Sequence, residues 1–146
     1  MSAVDMNGVL AGKVAVITGA SRGIGDALAR RYAMEGARVV VSARTVEGGD
    51  HYLPGSINET VADILAAGGE AIAVKADLAV AEDRQRLVDA AIEAYGAVDI
   101  LVNNCGMQHV SPIETFDEDT FEKVVQLNLT SNFYAIKYVL EDMRKH

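Results

Sequence analysis

Residues 18–25 read TGASRGIG, which sets Gly19, Gly23 and Gly25 within eight positions. A turn stripped of side chains lets an anion approach the peptide N–H groups. Where such a turn opens a helix, the positive end of the helix dipole adds to the attraction. The chemistry this suggests is the holding of a pyrophosphate, with Ser21, Arg22 and Ile24 completing the loop. A strand-to-helix turn that binds nothing would use the same glycines, because glycine adopts positive φ freely. The spacing G-x-x-x-G-x-G also differs from the general dinucleotide fingerprint G-x-G-x-x-G.

A second group lies downstream. The run VVVSART carries Arg44 where a dinucleotide-binding unit that prefers NAD usually places an acid, and no carboxylate occupies 42–44. A guanidinium pairs bidentately with a phosphate that a carboxylate would repel. Arg44 therefore points to NADP(H) ahead of NAD, and Arg22 could approach the same 2′-phosphate from the other side. Against this, Glu47 and Asp50 are near enough in sequence to neutralise Arg44, and Arg22 could pair with a nearby acid. Farther along, Asn103-Asn104-Cys105-Gly106 follows an apolar run, so its amides can tie neighbouring backbone together. Asn128 shares a helical face with Phe121 and Val125, which would bury it, and a buried amide must be hydrogen-bonded. A catalytic role for Cys105 would need a base; His109 lies four residues on, with no further support. His51 and His146 have no metal-ligand spacing, and no metal site is expected.

Elements that could position these residues alternate along the chain. Apolar runs at 13–18, 38–42, 71–76 and 98–103 fit strands buried on both faces. Between them, helical spacing appears in 23–35 (Ile24, Ala27, Leu28, Tyr32), around Val61, Ile64 and Leu65, and in 82–95 (Leu87, Val88, Ala91, Ile92, Tyr95). The longest helical pattern is 117–144, with an apolar stripe interrupted by Asn128, Thr130, Ser131 and Asn132. Ser56 with Glu59, and Thr115 with Glu118, are spaced as capping boxes. The order β-α-β-α-β-α-β-α, with right-handed crossovers, gives an α/β fold, a doubly wound, Rossmann-like parallel sheet. The segment 45–55, TVEGGDHYLPG, is long for a connection in such a unit.

The size of the chain, 146 residues, suits one domain. Its net charge of −8 leaves no basic face to neutralise nucleic-acid phosphates. A lone Cys105 fits a reducing compartment, and neither a signal sequence nor a membrane-spanning stretch is apparent. A cytoplasmic location is expected.

TGASRGIG, Asp77 after the third strand, NNCG at 103–106 and Asn128 within QLNLTS resemble, in order and spacing, the short-chain dehydrogenase/reductase family. The resemblance runs from Lys13 to Met143. It implies a nicotinamide dinucleotide and hydride transfer to or from a carbonyl or alcohol carbon. It also implies that Asp77 accepts from the adenine amino group while Leu78 packs on the ring, although Asp77 reads equally well as a plain turn residue. Asn104, Cys105 and Gly106 would line the ribose of the nicotinamide half, with Cys105 replacing the usual Ala as a small packing group. Asn128 would bind a water of the proton relay; a structural Asn bonding backbone locally is the alternative. The family's Ser and Tyr-x-x-x-Lys are not found. The residues four places after Tyr32, Tyr52, Tyr95, Tyr134 and Tyr138 are Gly36, Ser56, Asp99, Tyr138 and Asp142. The expectation is a dinucleotide-binding domain over 1–146 that stops before the catalytic strand, inactive alone and pairing with itself through 117–144. The other reading left open is a non-catalytic NADP(H)-binding or dimerising scaffold.

Overall fold

The computed structural model describes residues 3–145, so His146 lies outside the described residues. Four parallel strands form one sheet in the order β3-β2-β1-β4. Of these, β1 (Val14–Thr18) is buried throughout, and β2 (Arg38–Ala43) is buried at its four central positions. Their side chains alternate between two helical layers, as a period of two requires. Ile17, Val39 and Val41 meet α1 (Gly23–Met34) and α2 (Ile57–Ala66) through Ala29, Ala33, Ile57 and Ile64. Val16 and Val40 meet α3 (Ala81–Tyr95) and α5 (Ser131–Met143) through Leu87, Val88, Ala91 and Val139. The outer strands, β3 (Glu70–Lys75) and β4 (Ile100–Val102), are only partly buried.

The strand expected over 98–103 narrows to three residues, and the two residues before it are tied to their neighbours, in part through carboxylates. Val98 donates its N–H to Asp142 Oδ2 at 2.7 Å. The Asp99 carboxylate accepts Val14 N–H at 2.8 Å and Lys13 Nζ at 3.0 Å.

Several faces differ from the sequence reading. In α1 the residues turned fully inward are Gly25, Ala29 and Ala33, while Ile24 is 74% exposed and Leu28 and Tyr32 pack at the margin. Small residues take the inner stripe because the start of α1 runs hard against the β1 turn. In α2, Ile64 is buried but Leu65 stands out in solvent. Ser56 caps α2 as expected, accepting Glu59 N–H at 3.2 Å. The second box does not form: Thr115 belongs to a 3-10 turn, Ile113–Thr115, and the cap of α4 (Glu118–Val125) is Asp117. Its carboxylate accepts Thr120 N–H at 2.8 Å, and a full negative charge suits a helix start better than a hydroxyl does.

The long final helix is divided. A π turn at Gln126–Thr130 joins α4 to α5. The extra residue rotates one face out of line with the next, and Asn128, within the turn, is exposed rather than buried; Phe121, which precedes it in α4, is 53% exposed. The inward set restarts at Ser131 and continues through Ala135 and Val139. No helix among the described residues is long and apolar enough to cross a membrane.

Candidate functional site

The chain steps from β1 to β2 to β3 in one direction, then returns to place β4 on the other side of β1. A sheet built this way opens a crevice beyond the carboxyl ends of its strands at the point of reversal. Two turns lie there, after β1 and after β4. Buried Thr18 joins them: its hydroxyl donates to Val102 O and accepts the N–H groups of Asn104 and Cys105, each at 3.1 Å. Asn104 returns the contact, its Nδ2 donating to Thr18 O at 3.0 Å and Gly19 O at 3.1 Å.

The glycines have distinct tasks. Gly25 allows close packing, since a Cβ there would stand 2.4 Å from Gly19 O and 2.6 Å from Asn104 Nδ2. Gly23 has φ +61°, and a Cβ there would meet nothing within 4 Å. The first turn of α1 has no side-chain cap, leaving its amide groups to another acceptor. An uncapped helix start beside an open glycine suits a phosphate. Ser21 is buried beside it, and Ile24 projects outward.

Three cavities adjoin at Cys105 and Gly106. One of about 280 Å³ is lined by Gly19, Ser21, Arg22, Arg44, Thr45 and His51. Another of about 600 Å³ is walled by Arg44, Asp77, Lys123 and Gln126. The third, about 410 Å³, runs along Asn104, Met107, Gln108 and Asn128. Arg44 borders the first two. No carboxylate pairs with it among the described residues, because the neighbouring acids are engaged elsewhere. Glu47 accepts Asn58 Nδ2 at 2.6 Å, and Asp50 accepts the N–H groups of Val46 and Glu47 at 3.3 and 3.0 Å.

Arg22 makes contacts that neither reading of it foresaw. Its Nη2 donates to Gly55 O at 2.9 Å and its Nε to Pro54 O at 3.1 Å, so carbonyls rather than an acid hold it, in the lining of the cavity it shares with Arg44. Asp77 combines a turn role with a place in the cavity wall: Oδ1 accepts Ala79 N–H at 3.0 Å, and its own N–H reaches Asp83 Oδ2 at 2.8 Å. Leu78 is a correction. It is 3% exposed and packs in the core with Leu87 and Val88, so its side chain offers no open face to a ring.

Burial pushes the Cys105 thiol up, with Arg44 opposing in lesser part, so it remains a protonated packing group. His109 stacks edge-on against Phe116 at 5.3 Å. Asn128 grips the segment after β4: Oδ1 accepts Met107 N–H at 2.9 Å and Nδ2 donates to Met107 O at 2.7 Å. Both ends of its amide are thereby satisfied in an exposed position.

Thr18, Thr45 and His51 were not singled out from sequence. The one signal for Thr18 is a hydroxyl closing an otherwise apolar buried run. The other two sit in a segment without periodicity.

The family model for short chain dehydrogenases matches residues 13–146. An uncharacterized oxidoreductase of Bacillus subtilis, YxjF, is 38% identical over 133 residues, which are 91% of this chain and 49% of that protein. A hydroxysteroid dehydrogenase structure from Escherichia coli superposes with a TM-score of 0.85 at 36% identity, over 93% of this chain and 54% of that one. A metagenomic short-chain oxidoreductase in complex with NADP gives 0.81 at 34% identity, over 90% and 57%. The chain spans about half the length of the curated relatives it matches. Glycine turn, strand order and relatives agree, and the chain belongs to the short-chain dehydrogenase/reductase family of oxidoreductases.

Proposed function

We propose that this chain forms the NADP(H)-binding part of an oxidoreductase acting on a carbonyl or alcohol substrate. The observation that carries the proposal is Arg44, a cation with no ion pair among the described residues, bordering two cavities just after β2, where residues 42–44 hold no acid to receive ribose hydroxyls. Gly19, Ser21, Gly23, Ile24 and Gly25 supply the backbone cradle for the pyrophosphate. Arg44 takes the 2′-phosphate, and Asp77 stands at the adenine edge. Asn104, Cys105 and Gly106 line the ribose of the nicotinamide half. Asn128 fixes Met107 and borders the same cavity, a position that suits a water of the proton relay. The nicotinamide ring, when bound, carries the hydride. The residues of this chain orient it and exclude solvent from one side.

These 146 residues contain no Tyr-x-x-x-Lys, so this polypeptide is expected to bind cofactor without turning over a ketone. Self-association along α5 is also part of the proposal, supported by Phe133, Ile136 and Leu140, which are 60%, 50% and 41% exposed on one helical face. Calorimetric titration with NADPH and NADH tests the cofactor assignment. NADPH is expected to bind more tightly, and Arg44→Ala to weaken it by about tenfold or more while sparing NADH. A preference for NADH, or an Arg44→Ala chain with unchanged NADPH affinity, overturns it.

A further inference from the structure

The connection between β2 and α2, residues 45–55, is built rather than loose. Ile57 N–H donates to Thr45 O at 3.1 Å and Asn58 N–H to Val46 O at 3.3 Å, which closes its base. Its acids, Glu47 and Asp50, are bonded within the segment and to Asn58. Its far end lies against the glycine turn. Gly55 has φ +104°, and a Cβ there would stand 2.4 Å from Ser21 O, so only glycine fits. Arg22 reaches into the same end, with Gly55 O at 2.9 Å, Pro54 O at 3.1 Å and Leu53 O at 3.5 Å from its donors. Its Nη2 also stands 3.4 Å from Thr45 Oγ1. One edge of a planar fork thus gathers successive carbonyls, a geometry that an ammonium cannot reproduce.

His51 is carried by this segment into the lining of the 280 Å³ cavity, beside Ser21 and Arg44. Its Nδ1 accepts Leu53 N–H at 3.0 Å, so the neutral ring keeps its proton on Nε2. No hydrogen bond from Nε2 is present among the described residues.

We propose that residues 45–55 form a strap latched to the glycine turn by Arg22, and that His51 on this strap, together with Arg44, recognises a phosphomonoester on the adenosine ribose. The proposal rests on the dinucleotide reading above and deepens it. A phosphomonoester offers three acceptor oxygens. Arg44 can engage two of them, and a donor on the strap side meets the third. An unphosphorylated ribose has no such oxygen, so His51 acts on one dinucleotide and not the other. Arg22 is then a positioning residue. Its charge contributes to the local potential, but its directed donors belong to the strap.

The test is a double-mutant cycle on the 146-residue chain, with NADPH and NADH affinities measured by calorimetry for His51→Ala, Arg22→Lys and the double variant. Amide hydrogen exchange over 45–55 is recorded in parallel without ligand. His51→Ala is expected to weaken NADPH about five- to tenfold and to change NADH less than about twofold. Arg22→Lys keeps the charge but loses the fork, so exchange over 45–55 should accelerate by about tenfold or more. The double variant should bind NADPH no worse than Arg22→Lys alone, because the released strap no longer presents residue 51. Equal losses for both dinucleotides, losses that multiply in the double variant, or unchanged exchange in Arg22→Lys each overturn the proposal. Arg44→Ala, run alongside, separates the two levels. If it abolishes the NADPH preference while His51→Ala does not, the strap assignment falls and the phosphate reading stands. If the unaltered chain shows no preference, both fall.

Discussion

Thr18 gathers three hydrogen bonds from residues more than eighty positions away, and that hub sets the distance between the two turns of the cleft. Replacing it with Val keeps the shape and removes the hydroxyl, leaving the N–H groups of Asn104 and Cys105 without their acceptor. The expected loss is about 1–3 kcal/mol in urea unfolding, accompanied by weaker NADPH binding. A variant as stable as the parent would show that other groups hold the turns together. The places of the glycines, Arg44 and Asn104 in the fold were legible in the sequence because they follow from local spacing: a turn, a strand end, an amide after an apolar run. The hold of Arg22 on residues 53–55 was not legible, for the opposite reason. Its partners are carbonyls of residues 53–55, some thirty positions on, and a backbone carbonyl has no side-chain signature. Leu78 looked like a ring-packing residue, yet it follows a strand whose end still belongs to the core.

The four strands were read correctly in number and order, since their period survives in any buried sheet with covering helices, whereas the single final helix read over 117–144 is two, α4 and α5. The helix faces were read less well. The inner stripe of α1 is Gly25, Ala29 and Ala33, small residues that a hydrophobicity count undervalues. The π turn at Gln126–Thr130 could not be read from spacing, because one added residue leaves no compositional mark. At the start of α3 an electrostatic link bears on the site. The Asp83 carboxyl is held below its ordinary range first by the Asp77 N–H, with the Arg86 guanidinium 2.8 Å away adding to the effect. A carboxylate lowered on folding contributes stability above its unfolded pKa and loses it as pH falls through the lowered folded value. Asp83→Asn is therefore expected to be less stable than the parent near neutral pH, with the difference shrinking on acidification to about pH 3. Urea unfolding at the two pH values measures it, and a difference independent of pH would contradict the link.

Across the whole molecule, the order β3-β2-β1-β4 puts the reversal point, the glycine turn and the Asn104 turn at one end of the sheet. Among the described residues the same order leaves β4 at the edge of the sheet, paired with β1, and α5 presents Phe133, Ile136 and Leu140 outward. An open edge and an apolar face both favour association. Light scattering is expected to show a mass that rises with concentration, and Ile136→Lys to lower it; a strictly monomeric parent would contradict this. The central claim is that bare amides at the first strand-helix junction, together with Arg44, receive a phosphorylated dinucleotide. Amide NMR during titration of the 146-residue chain with NADPH tests it most directly. The largest saturable shifts should fall on Gly19 to Gly25 and on Arg44, with NADH reproducing those of the glycine turn but not that of Arg44. Shifts confined to other regions, or none at saturating NADPH, would contradict it.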